Sequence, residues 1–279
     1  MNPPYPLVFS SLLLRLGVGI MVTHIVMSMA YNPIIVDWQI AIFSLTVILL
    51  GVLISMVHLG TPKRFLHAFY NPASLLTWEA ILTPLLLVSL GVLAVGSYFG
   101  ESVVLRVIGK GGTVVFGVML VYVIAKVYHL KARPSWATPL VVYEFFLSAI
   151  GMGVLGYVGI MPLVGQSVNP GVIYLSWVVL IVLAAELAMT LYYLHYVRGI
   201  SRAASEVLQE RMSIFQYYLW IGVGLAIPFV LSALTLITNK VQGTVVVVSF
   251  FSFFAGALFW RVLFFKIAKP IKITPDIEI

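Results

Sequence analysis

The stretch from Met56 to Arg64, reading MVHLGTPKR, sits where a long apolar run gives way to a short polar connection. It brings His58, Lys63, Arg64 and a helix-breaking Gly/Pro pair to one place, and Glu79 follows at the start of the next apolar run. No other part of the chain concentrates so much titratable chemistry. A histidine near neutral pKa accepts or donates a proton as a bound ligand is reduced or oxidised. A carboxylate leading to water completes such a transfer. A quinone head needs donors for two carbonyl oxygens, and a quinol has two protons to lose, so His58 with Glu79 suits that ligand. Arg64 either holds Glu79 ionised or contacts lipid phosphate. The plainer reading of His58 alone is an interfacial histidine bonded to a carbonyl.

The elements that must position these residues are membrane helices. The chain has 279 residues, 62% hydrophobic and only 9% charged, against about 25% charged in a soluble domain. Lipid is therefore the solvent for most side chains. A spanning helix needs about 20 mostly apolar residues, and eight runs qualify: 6–30, 37–58, 74–98, 103–129, 137–161, 172–197, 214–237 and 243–267. Breakers such as Asn32-Pro33, Asn71-Pro72, Pro134 and Asn169-Pro170-Gly171 separate them. Unpaired backbone is not tolerated in hydrocarbon, so the expectation is an all-α bundle of eight transmembrane helices, one domain over 1–279. Absence of cysteine excludes iron–sulfur ligation by this chain. The start lacks a basic n-region and a cleavage site, so no removable signal peptide is expected. The net charge of +7 suggests an anionic lipid surface or an acidic partner rather than nucleic acid.

An even number of spans places both termini on one side, side A. That side collects Lys63, Arg64, Lys131, Arg133, Arg198, Arg202, Arg211, Lys266, Lys269 and Lys272, against Arg106, Lys110 and Lys240 on side B. The positive-inside rule makes side A cytoplasmic, while a basic docking surface for a partner would give the same pattern. By helix rise, Arg15 and Glu144 lie roughly 12 Å below side A and Arg261 about 10 Å. Glu186 is nearer the midplane, and His24 alone lies towards side B. Intramembrane ionisable groups face the bundle interior or a wet cavity. The pattern predicts a polar pocket open to side A and an apolar seal at side B. A transporter would carry polar groups across the whole thickness. Glu186 with Arg15 or Arg261 is expected to form a buried ion pair. Tyr122, Tyr128, Trp78 and Trp136 fit an interfacial aromatic belt. His58, His129 and His195 are roughly level, but no matched deep pairs suit a haem wire, and no metal site is expected.

The segment from Ser55 to Arg64, with Asn71 and Trp78-Glu79, resembles the signature of DMSO reductase membrane anchor subunits, the DmsC-type proteins. Val127-Tyr128-His129 with Pro134-Ser-Trp136 resembles a second family segment, and Gly256 to Arg261 a third. Ala257 stands where the resemblance leads one to expect an acidic residue beside the arginine. The resemblance implies a quinone-reactive subunit in the cytoplasmic membrane of a prokaryote. It would anchor a molybdopterin catalytic subunit and a four-cluster, ferredoxin-like iron–sulfur subunit. His58 and Glu79 take the quinol-binding roles, with Arg64 and Tyr128 completing the site, and the quinone is of the menaquinone type. Haem, molybdenum and iron–sulfur clusters are not expected in this chain. Electrons would run from quinol to an acceptor, as in anaerobic respiration on DMSO, or from a substrate into quinone, as in the related sulfite-oxidising enzymes.

Overall fold

The computed structural model describes residues 4–31, 37–57, 71–99, 102–164, 173–200 and 202–268. The expected helices are there: α1 (Tyr5–Tyr31), α2 (Asp37–Val57), α3 (Leu75–Tyr98), α4 (Val103–Val127), α5 (Leu140–Ile160) and α6 (Ile173–Ile200). A short amphipathic α7 (Arg202–Gln209) leads into α8 (Arg211–Leu219), which continues through a wide turn into α9 (Ile227–Thr238), and α10 (Gly243–Lys266) follows. Counting α8 to α9 as one span, Met212–Thr238, eight helices among the described residues are long and apolar enough to cross a membrane. The expectation that both termini share a side falls on end residues outside the described segments.

Local chemistry sets the helix ends. Asn71 and Ser74 form a turn and cap: the Asn71 Oδ1 accepts from the Ala73 N–H, and the Ser74 hydroxyl accepts from the Leu76 N–H at 3.3 Å. The Thr77 hydroxyl donates to the Asn71 carbonyl at 2.6 Å. Ser102 caps α4 in the same way, and Asn239 closes α9 in the left-handed conformation, φ 52°. Between α8 and α9 the backbone over Trp220–Ala226 widens to a π-helical turn, so that the Ile227 N–H donates to the Gly222 carbonyl five residues back. Pro228 follows at once and has no N–H to add to the ladder.

The first helix lies at the centre, packed against α2, α4, α5 and α10, while α3 packs on α2 and α4. Contact between spans depends on small residues, as lipid gives no hydrophobic incentive for association. At the α1–α5 crossing Gly19 meets Ala149 and Gly153, and at the crossing of the wide turn with α10 Gly224 meets Gly256; a Cβ at either glycine pair would collide with facing backbone. The middle of the bundle is apolar. Leu16, Val18, Ile20 and Met21 on α1 and Met152, Val154 and Leu155 on α5 are all buried there.

Candidate functional site

Two of the four expected site residues, His58 and Arg64, lie outside the described residues. Glu79 stands one turn inside α3, half-buried. The cap at Asn71–Ser74 fixes where α3 begins and hence the rotation of Glu79. It falls on the same stripe as Thr83, Leu86 and Leu90, which are buried. No described residue hydrogen-bonds its carboxylate, although Thr83 donates to its backbone carbonyl.

Tyr128 closes the C-terminal end of α4. It is only 9% exposed, and Trp136 only 4%, so neither joins an interfacial belt; Trp78 and Tyr122, both exposed, do fit one. The reason is the segment after α4, which folds over the end of α10. Arg133 Nη1 donates to the Ala268 carbonyl at 3.0 Å, the Ser135 hydroxyl to that of Ile267 at 3.0 Å, and the Trp136 indole N–H to that of Phe264 at 3.1 Å. These donors satisfy carbonyls that a helix end leaves free, and the arginine suits the negative end of the dipole. Tyr193 locks the segment from α6 by donating to the Ser135 carbonyl at 2.9 Å. Trp136 stacks on Phe264, and Tyr128 stacks on Phe145. Burial pushes the Tyr128 phenol up from its ordinary pKa, and the negative charge of Glu79 acts in the same direction, against Arg261 and Arg15. Glu79 and Tyr128 therefore share one electrostatic neighbourhood.

Beneath Tyr128 lies a buried ionic cluster. Arg15 Nη1 donates to Glu144 Oε1 at 2.9 Å and Arg261 Nη1 to Glu144 Oε2 at 3.4 Å. Arg15 also donates to the Ser148 hydroxyl and, through Nε, to the Ser11 carbonyl. Arg261 Nε donates to the Ser11 hydroxyl at 3.2 Å. The Arg261 guanidinium lies 4.1 Å from the Phe145 ring centre and 4.7 Å from that of Tyr128. The expected pairing of Glu186 with Arg15 or Arg261 is thus corrected: Glu144 takes both guanidiniums. It also supplies the carboxylate that Ala257 does not, from a different helix. Sequence depth had placed Arg15, Glu144 and Arg261 at one level, and that matching was the available signal.

The expected apolar seal at side B is corrected as well. Asp37, buried at the start of α2, binds His24 Nε2 at 2.8 Å, Arg106 Nη2 at 3.1 Å and Lys110 Nζ at 3.0 Å. Lys110 also donates to the Ser28 hydroxyl. This clasp ties α1, α2 and α4 together at side B. Its signal was a lone acid opening one apolar run, with two cations opening another and a histidine at matching depth. Nine residues, about 14 Å of helix rise, separate Arg15 from His24 on α1, and the apolar layer fills that interval. The two clusters do not join, so the continuous polar path that a transporter needs is not formed among the described residues. At mid-depth α1, α4, α5 and α6 border a groove of about 320 Å³, lined by Val22, Val26, Val118, Phe146, Ile150 and Val178 among others. Its wall is almost wholly apolar, Thr23 being the one lining residue with a polar side chain.

The second and third sequence segments that suggested a family thus pack into one site on side A, and Glu79 of the first adjoins it. No curated protein sequence matches the chain. The family model for the DMSO reductase anchor subunit (DmsC) matches residues 1–267. With that match and eight membrane-spanning helices, the chain belongs to the DMSO reductase anchor subunit family, the membrane anchors of DMSO reductase-type complexes with catalytic and iron–sulfur partner subunits.

Proposed function

We propose that this anchor is quinone-reactive: it binds quinone or quinol on side A, beside α3 and the end of α4, and exchanges electrons with an iron–sulfur partner subunit. The observation that carries this reading is Glu79, a carboxylate on the buried stripe of α3 with no described hydrogen-bond partner, next to the Tyr128–Arg261 cluster. A carboxylate so placed can take a quinol proton and pass it to water at the membrane surface. Tyr128 is held rigid by four aromatic neighbours and Arg261, which suits a wall that orients a planar ring. His58 serves the second quinone oxygen, and Arg64 neutralises the site when Glu79 is ionised. The partners are a molybdopterin catalytic subunit and a four-cluster iron–sulfur subunit docked on the basic side, in the cytoplasmic membrane of a prokaryote. The quinone is of the menaquinone type. Both electron and proton exchange occur on side A, so no proton translocation by this chain is implied.

The test is quinone-linked turnover of the assembled complex. Glu79→Gln and His58→Ala are each expected to lower it by about 100-fold or more. Turnover with a reduced dye that feeds the partner subunits directly should stay normal. Normal quinone turnover in both variants would make the chain a structural anchor without a quinone site.

A further inference from the structure

Glu186 takes part in none of the pairings above. It sits on α6 with 0% exposure, and neither carboxylate oxygen has a hydrogen-bond partner among the described residues. An unpaired carboxylate in an apolar interior is costly. The two arginines show the complementary pattern. Each gives Nη1 to Glu144 and Nε to Ser11, and in each Nη2 is buried and unpartnered. Among the described residues, Arg15 and Glu144 are the charged groups that act on Glu186. One carboxylate, Glu144, balances only one of the two guanidiniums, so an ionised Glu186 makes the group neutral and a protonated one leaves it with one positive charge.

The surroundings of Glu186 are polar beyond these charges. Thr190, one turn further along α6, accepts from the Trp220 indole N–H at 3.2 Å. Trp220 opens the wide turn of the seventh span and stacks on Trp260, whose own indole N–H is buried without a partner. Wide turns of this kind cluster at functional sites. Buried polar groups that lack a protein partner are commonly bridged by ordered water.

We infer that Glu186 is the internal proton holder of the quinone site, joined to the free edge of Arg15 by ordered water. This rests on the quinone-reactive reading. On quinol oxidation two electrons leave to the partner's iron–sulfur centres. One quinol O–H proton goes out by Glu79. The other passes through the water to a Glu186 oxygen, where an O–H bond forms, and leaves by the same route to side A. Quinone reduction runs the steps in reverse.

The experiment uses the intact complex in membranes, with wild type, His58→Ala, Glu79→Gln and Glu186→Gln compared. Glu186→Gln is expected to lower quinone-linked kcat by about tenfold or more, with quinol KM and dye-linked turnover unchanged. Redox-induced infrared difference spectra should contain a carboxylic-acid band that Glu186→Gln removes. Impaired Glu79→Gln with unimpaired Glu186→Gln and no band lost overturns this inference alone. Normal turnover in Glu79→Gln and His58→Ala overturns the quinone reading beneath it. Should Glu186→Gln fail to assemble, Glu186→Asp keeps an ionisable group: a displaced carboxylic band supports the proposal, and an unchanged spectrum refutes it.

Discussion

Arg15 and Arg261 are the clearest case of how single residues work in this protein. Both are 0% exposed, and their charges are tolerated because one carboxylate bonds both and aromatic faces cover the rest of the planes. A guanidinium suits this place better than an ammonium, since its flat face can stack while its edges bond. Glu144→Ala leaves two buried cations without the carboxylate that bonds them both. It is expected to destabilise the protein by about 3–5 kcal/mol, read as a lowered thermal midpoint in detergent, with Glu144→Gln falling between it and wild type. Equal stability of Glu144→Ala and wild type would show that the cations find water instead. At this scale the sequence showed which residues are ionisable and at what depth. It did not show which acid meets which base, because pairing depends on helix rotation. Glu186 was the expected partner, but α5 rather than α6 turns its acid, Glu144, towards α1 and α10.

Among the elements, helix crossings are decided by side chains that are missing. Gly19 and Gly153 let α1 and α5 touch backbone to backbone, which brings Arg15 and Glu144 within bonding distance. Gly153→Leu is expected to push these helices apart. The cost is about 1–3 kcal/mol or more from overpacking, and quinone-linked turnover falls although every titratable residue is intact. The checks are thermal unfolding and turnover of the same preparation. Unchanged values for both would mean the crossing is loose. Gly91, by contrast, has open space at its Cβ position, so Gly91→Leu serves as the control and is expected to leave both values unchanged. The segment after α4 shows the same dependence on neighbours. Pro134-Ser-Trp136 reads as an interfacial loop, but the open carbonyls at the end of α10 draw Ser135 and Trp136 inward, and Tyr128 is covered in consequence.

For the whole molecule, the two polar clusters lie at opposite ends of an apolar middle, and the basic residues crowd side A. Reporter fusions after Ala268 and in the Thr238–Gln242 loop are expected to report opposite sides of the membrane, with the former cytoplasmic by the positive-inside rule. A shared side for the two would remove a span; an external Ala268 fusion would assign the basic charge to partner docking. The sequence by itself determined the solvent and the architecture: backbone groups in hydrocarbon must bond one another, in a helix or a closed barrel, and continuous apolar runs of about 20 residues fit helices rather than alternating barrel strands. It also determined the span limits, through its proline, glycine and asparagine breakers, and the family, through three short segments. Only the tertiary structure decided that two of those segments pack together beside Glu79, that Asp37 makes side B polar, and that Glu186 stands apart from the ion pairs. The physical reason is that apolar runs carry almost no amphipathic pattern in lipid, so which way each helix faces is set by packing against its neighbours.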